Sequence, residues 1–312
     1  MLAFLRTLVI ASLPLSLHVF VPRQLIEEPA SAPARNAPAA HAWLASPVVI
    51  GASISDGFGL RAEVGSRVRL SDYLNAAIAA PHAEVECFGS AFLFQDPLAR
   101  GERQVLSALE RAPTLLVALD FPFWFAYGTL AREEDRPRLL EAGLALLARY
   151  DGPTLLCDLP DMSPALHGAK VLGMRMIVES QVPAPEMLKR LNAQLAAWAA
   201  ERPNVTLVPM AALLDDLRAD RPVVVRGAEY RKADLARLFQ PDLLHASSEG
   251  TALLVALALE CLAARHPELG PGLVSATPQQ LSRAVIETKA VERARRAGPA
   301  ESKPAGTPAG VK

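Results

Sequence analysis

Short apolar runs alternate with segments of helical period through the middle of the chain. The runs Pro47–Ile50, Val85–Phe88, Thr114–Leu119, Thr154–Leu159 and Val205–Pro209 are mostly apolar and read as buried strands. Ser71–Ala80, Gln104–Arg111, Arg136–Tyr150, Pro185–Glu201 and Ala211–Arg218 carry apolar residues at helical spacing. Pro185 suits a first helical turn, where its missing N–H costs nothing. Ser248–Ala264 is apolar nearly all round, which predicts a buried helix. Strand–helix alternation with buried strands predicts a parallel sheet covered on both faces. With right-handed crossovers this becomes an α/β fold, a three-layer α/β/α sandwich on a five-stranded, mostly parallel sheet. Such sheets bind ligands beyond the carboxyl ends of their strands, near the point where strand order reverses.

The pattern fails at both ends. Behind Arg6, the apolar run Thr7–Val21 has the length of a signal-peptide core, short of the about 20 residues a membrane span needs. Residues 1–28 therefore read as a signal peptide or an N-terminal membrane anchor. The protein is expected to be exported, periplasmic or secreted, or tethered to the membrane. Residues 29–45 are rich in Pro and Ala and read as a linker. Residues 46–268 form the expected folded domain. Residues 269–312 read as a low-complexity tail, with a short helix persisting to about Arg296.

Composition adds three bounds. At 312 residues and 51% hydrophobic, the chain is long enough for one large core. A net charge of −1 gives no reason to expect nucleic acid as a partner. Cys87, Cys157 and Cys261 lie far apart without Cys-x-x-Cys spacing, so neither a zinc site nor a disulfide framework is expected. No metal or organic cofactor is implied.

Two stretches carry candidate chemistry. In "VVIGASISDGFG", residues 48–59, Ser53 lies just past the carboxyl end of the first strand. Read alone, that stretch is an ordinary Gly/Ser turn. A base must reach the same edge, and of the six histidines His245 is the best placed. It sits in "FQPDLLHASSEG", residues 239–250, three positions after Asp242 and just before a helix start. A carboxylate at that spacing can accept from Nδ1–H, fixing the tautomer and leaving Nε2 as base. An Asp-capped turn beside a surface histidine accounts for the same residues.

Together the two stretches resemble the SGNH/GDSL hydrolases, a family of serine esterases and lipases with a flavodoxin-like fold. "GASIS" with Asp56 and Gly57 is similar to the family's nucleophile block, and "DLLHASSEG" to its closing Asp-x-x-His block. The resemblance implies that Ser53 is the nucleophile, His245 the base and Asp242 its orienter. It also implies an oxyanion hole built from the Ser53 N–H, a glycine matched by Gly89 in "ECFGS", and an asparagine after the third strand. Asp120 of "LLVALDF" stands in the asparagine's place, and Ala52 replaces the aspartate of the nucleophile block. An ionised Asp120 would repel an oxyanion, a protonated one would donate to it, and a third arrangement turns the side chain away. The aromatic stretch "FPFWFAY" follows, and Phe121 and Trp124 are expected to border the substrate or to pack the loop. Asp158 and Asp161 follow the fourth strand and read as turn caps.

The resulting expectation is hydrolysis of a small carboxylic ester through an acyl-enzyme. Acyl transfer or deacetylation on a carbohydrate is the alternative within that chemistry. A catalytically weak binding protein on the same scaffold is the alternative outside it.

Overall fold

The computed structural model of this chain describes residues 41–128 and 132–297. The proposed leader and most of the proposed linker lie outside the described residues. Five strands, β1 (Pro47–Val49), β2 (Glu86–Cys87), β3 (Leu115–Val117), β4 (Thr154–Cys157) and β5 (Val205–Val208), form one parallel sheet in the order β2-β1-β3-β4-β5. That order is the flavodoxin-like one, with the strand order reversing beside β1 and β3. The expected fold class is therefore found. Each strand sits within its expected run and is shorter by one to three residues. β1, β3 and β4 are buried on both faces, as their mostly apolar runs require.

Helices cover both faces. They are α1 (Ser53–Asp56), α2 (Leu60–Val64), α3 (Leu70–Ala77), α4 (Pro97–Leu109), α5 (Phe123–Ala126), α6 (Arg136–Leu147), α7 (Pro185–Ala200), α8 (Met210–Arg218), α9 (Leu235–Leu238), α10 (Ser248–Arg265) and α11 (Pro278–Ala297). One hydrophobic core joins α4, α6 and α7 to the sheet, and another joins α3, α10 and α11 to its opposite face. α10 is the buried helix foreseen: eleven of its eighteen residues are inaccessible, from Ser248 to Leu262.

Three features depart from the expectation. A hairpin of β6 (Val223–Val225) and β7 (Ala228–Tyr230) turns through Arg226 and Gly227, both at positive φ, as a two-residue hairpin demands. The tail expected from residue 269 is structured as far as Ala297, because α11 buries Leu281, Ser282 and Val285 against α3 and α10. The linker also ends earlier than residue 45. Ala42–Leu44 form a 3-10 turn, Leu44 is fully buried, and the Trp43 ring packs on His266 at 4.3 Å. Among the described residues no helix is long and apolar enough to cross a membrane.

Candidate functional site

β1 ends at Val49, and the chain turns sharply through Gly51 at φ 149° into the one-turn helix α1, whose first residue is Ser53. Gly51 is clamped from two sides. Gln104 of α4 accepts from the Gly51 N–H at 2.8 Å and donates to its carbonyl at 3.0 Å. A Cβ on Gly51 would stand 2.1 Å from Asp120 Oδ1 and 2.4 Å from Ser55 Oγ, so only glycine fits.

Of the three arrangements the sequence left open for Asp120, the side chain takes the third and faces the turn that carries Ser53. Its carboxylate, at the end of the β3 segment, accepts from the amides of Ala52 at 3.0 Å, Ile54 at 2.8 Å and Ser55 at 3.2 Å, and from Ser55 Oγ at 2.5 Å. Burial raises its pKa, and those four donors oppose the rise. The three amides can only donate to it, and the Ser55 hydroxyl also lies 3.3 Å from the Ile50 carbonyl. Asp120 is thus the anchor of the turn that carries Ser53. It takes the amides on either side and leaves the Ser53 N–H without a hydrogen bond among the described residues.

Gly89 follows β2 and lies against the same turn; a Cβ there would meet Ser55 Cβ at 2.7 Å. Its amide also approaches the Cys87 thiol, whose pKa burial pushes up to about 12 against the pull of that amide. Asp56 ties this loop down by accepting from the Ala91 amide, and it pairs with Arg67 and Arg69.

The closing block forms as the spacing suggested. Asp242 Oδ2 lies 2.7 Å from His245 Nδ1, while Oδ1 accepts from the amides of Leu244 and His245, each at 3.0 Å. Both side chains are buried. A carboxylate only accepts, so Nδ1 carries the proton and Nε2 presents its lone pair. Burial acts to raise the Asp242 pKa, but the bond to His245, its charge and the two amides outweigh it and hold the carboxyl below its ordinary value. The turn needs Leu243 at φ 56°, a left-handed conformation costly for leucine.

Phe58 joins the two blocks. Its ring lies 4.3 Å from the His245 ring, and its amide donates to the Ser53 carbonyl at 2.9 Å. Gln240 Nε2 donates to both the Phe58 carbonyl, at 2.6 Å, and the Ala246 carbonyl, at 2.8 Å. Ser53 Oγ and His245 Nε2 do not hydrogen-bond to each other. Such contacts are often loose without a ligand and tighten when substrate binds.

Ser53 borders an apolar cavity with about 880 Å³ of free space, part of it open to solvent. Leu244 and Ala246, on either side of His245, line it too, together with Asp120, Phe123 and Leu254. Of the aromatic stretch, Pro122 and Phe123 reach this cavity. Phe121 and Trp124 do not. Phe121 is fully buried against Phe125 and Gly101, and Trp124 packs between Phe94 and Phe123. A one-turn helix points successive side chains in different directions, which separates Phe123 from its neighbours. Asp158 accepts from the Ala211 amide at the start of α8, and Asp161 caps Ser163, as turn residues.

Sequence reasoning passed over two residues that build this site, Gln104 and Gln240, and one buried cation away from it, Arg136. Arg136 is buried, donates to the carbonyls of Ala126, Gly128 and Ser180, and pairs with Glu133. Gln104 falls in the buried stripe Gly101, Gln104, Val105, Ala108 of α4, and a polar residue in an apolar stripe is a readable signal.

No family model matches the chain, and no curated protein matches it either. Several solved structures are similar to it, three of them as follows. A GDSL-like lipase from Bacteroides thetaiotaomicron is 15% identical, with a TM-score of 0.41 over 70% of this chain and 88% of its own. TesA is 18% identical, with a TM-score of 0.36 over 72% and 98%. A lipase/acylhydrolase from Enterococcus faecalis is 16% identical, with a TM-score of 0.44 over 74% and 99%. At such identities and scores, the chemistry is argued from this chain's own residues.

Proposed function

We propose that the protein is a serine hydrolase of carboxylic esters. Ser53 Oγ attacks the ester carbonyl carbon while His245 Nε2 takes its proton. The tetrahedral oxyanion is met by the Ser53 N–H and the Gly89 N–H. As the C–O bond breaks, His245 returns the proton to the departing alkoxide. Water then attacks the acyl-Ser53 carbonyl, giving its proton to His245; as the acyl–Oγ bond breaks, His245 returns the proton to Ser53 Oγ and the acid leaves. Asp242 holds the ring and stabilises the imidazolium.

One observation carries this reading. A buried Asp242–His245 pair stands beside Phe58, on the turn that begins at Ser53, and Ser53 has the one amide near the start of that turn that Asp120 does not use. The reason to expect a catalytically weak protein was a carboxylate facing the oxyanion. Its engagement with four donors supports activity instead. Acyl transfer to a carbohydrate would share the acyl-enzyme and differ in the acceptor alone.

The test is labelling by a fluorophosphonate together with hydrolysis of a para-nitrophenyl ester. Both should be lost in Ser53→Ala, with kcat falling by several orders of magnitude, up to roughly 10⁶. Labelling that persists undiminished in Ser53→Ala would remove Ser53 as nucleophile.

A further inference from the structure

The apolar cavity beside Ser53 has a direction. It begins at Ala52 and Ser53 beyond β1, passes Leu119 and Asp120 beyond β3, then Cys157 and Leu159 at the end of β4, and reaches Met210, Leu213 and Leu214 in the helix that follows β5. Leu238, Phe239 and Leu253 close it from the side of α9 and α10. Of its two carboxylates, Asp120 is engaged by the Ser53 turn, and Asp158 accepts from the Ala211 amide through Oδ1. The remaining walls are almost wholly apolar, and no cationic side chain lines the cavity to hold a phosphate.

We propose that this cavity binds the acyl chain of the substrate, which is a medium-chain ester of about ten to twelve carbons. The proposal rests on the serine hydrolase reading and deepens it. Length follows from the sheet. From β1 to β5 are three strand spacings of about 4.8 Å, so the cavity crosses roughly 14 Å. An extended chain advances about 1.1–1.2 Å per bond, from 3.3–3.6 Å per three-bond residue, and about twelve bonds fill that distance. With its carbonyl carbon at Ser53 Oγ, the chain runs beneath the strand ends toward α8, and the alcohol portion leaves on the solvent side. Each methylene removed from water should raise kcat/KM about fourfold, the factor equivalent to roughly 0.8 kcal/mol, until the far wall is reached.

The experiment measures kcat/KM for para-nitrophenyl esters from acetyl to palmitoyl, with wild type, Leu214→Trp at the far end and Leu253→Phe on the side wall. Circular dichroism identifies any variant that does not fold. Wild type should climb to decanoyl or dodecanoyl and fall beyond. Leu214→Trp should move the optimum to hexanoyl or shorter. In parallel, calorimetry follows sodium decanoate binding to Ser53→Ala with and without a filling substitution. A flat chain-length profile, or the same profile in a folded filling variant, overturns the cavity proposal while hydrolysis stands. If no ester is hydrolysed, decanoate binding that Leu214→Trp or Leu253→Phe abolishes upholds the cavity, and the serine reading alone fails. Decanoate that binds neither protein overturns the proposal whichever way hydrolysis falls.

Discussion

At the residue scale, the most consequential assignment is Asp120. Its position after the third strand was readable from the sequence. What it bonds was not, because position along a strand end does not say whether a side chain faces substrate or the neighbouring turn. Its bonds to Ala52, Ile54 and Ser55 decide the effect of replacing it. Asp120→Asn sets an NH₂ group among N–H and O–H donors in a buried site, and hydrogen bonds to a charged group contribute about 1.5–3 kcal/mol. The variant should lose roughly 2–3 kcal/mol of stability in urea denaturation and lose ester hydrolysis with it. A rise in kcat/KM would return Asp120 to the oxyanion. Asp242 gives a prediction in pH. Its folded pKa lies below the ordinary 3.8, so its ionised form stabilises the fold above that value, and this contribution is lost as pH falls through the lower folded value. The stability gap between wild type and Asp242→Asn should be constant from pH 5 to 7 and shrink below about pH 4. A gap that does not change down to pH 2 would mean Asp242 is not held ionised by His245.

At the element scale, the sequence was most legible where one pattern governs a whole segment. β1, β3, β4 and β5 sit inside mostly apolar runs, and α7 begins at the expected Pro185. Legibility failed where long-range partners decide. α4 begins at Pro97, ahead of the expected Gln104, because Asp96 caps it by accepting from the Ala99 amide. The β6–β7 hairpin has its signal in Arg226–Gly227, but its strands are short and only half buried. The aromatic stretch is a brace more than a wall: Phe123 stacks on Tyr127 at 4.3 Å, and the Tyr127 hydroxyl donates to the Pro160 carbonyl beyond β4. α4 matters most to the chemistry, since Gln104 fixes both polar atoms of Gly51. Gln104→Leu leaves the buried Gly51 N–H unpaired, at about 1–3 kcal/mol, while the Gly51 carbonyl keeps the Ser90 amide as donor. The urea midpoint should fall by the equivalent of roughly 1–3 kcal/mol with an unchanged slope. Unchanged stability would show that water or another side chain replaces the clamp.

At the scale of the whole molecule, the Ser53 and His245 blocks are held from outside the sheet as well as within it. Ser248, three residues after His245, begins α10, and its hydroxyl bonds to Tyr73 of α3 at 2.8 Å and to Ser282 of α11 at 2.7 Å. Lys289 of α11 pairs with Asp72 of α3 at 2.7 Å, and Arg293 donates to the Val64 carbonyl in α2, the helix after Phe58. α11 thus straps the helices that follow both blocks. Its overall polarity made residues 269–312 read as a tail, and the few apolar positions that bind it, Leu281 and Val285, are too sparse to announce a core-facing helix. Ending the chain at Ala276 would expose their partners on α3 and α10. Burial of those two side chains contributes about 1.5–3 kcal/mol each, an upper figure because the unfolded chain is itself partly compact. A loss of roughly 3–5 kcal/mol should lower Tm by about 10 °C for a domain of this size. Because α11 also bears on Ser248, ester hydrolysis should weaken at temperatures where the truncated protein is still folded, while Ser282→Ala, which removes one hydroxyl, should lower Tm only slightly. A truncated protein with wild-type Tm and activity would show that α11 does not dock on the domain in solution.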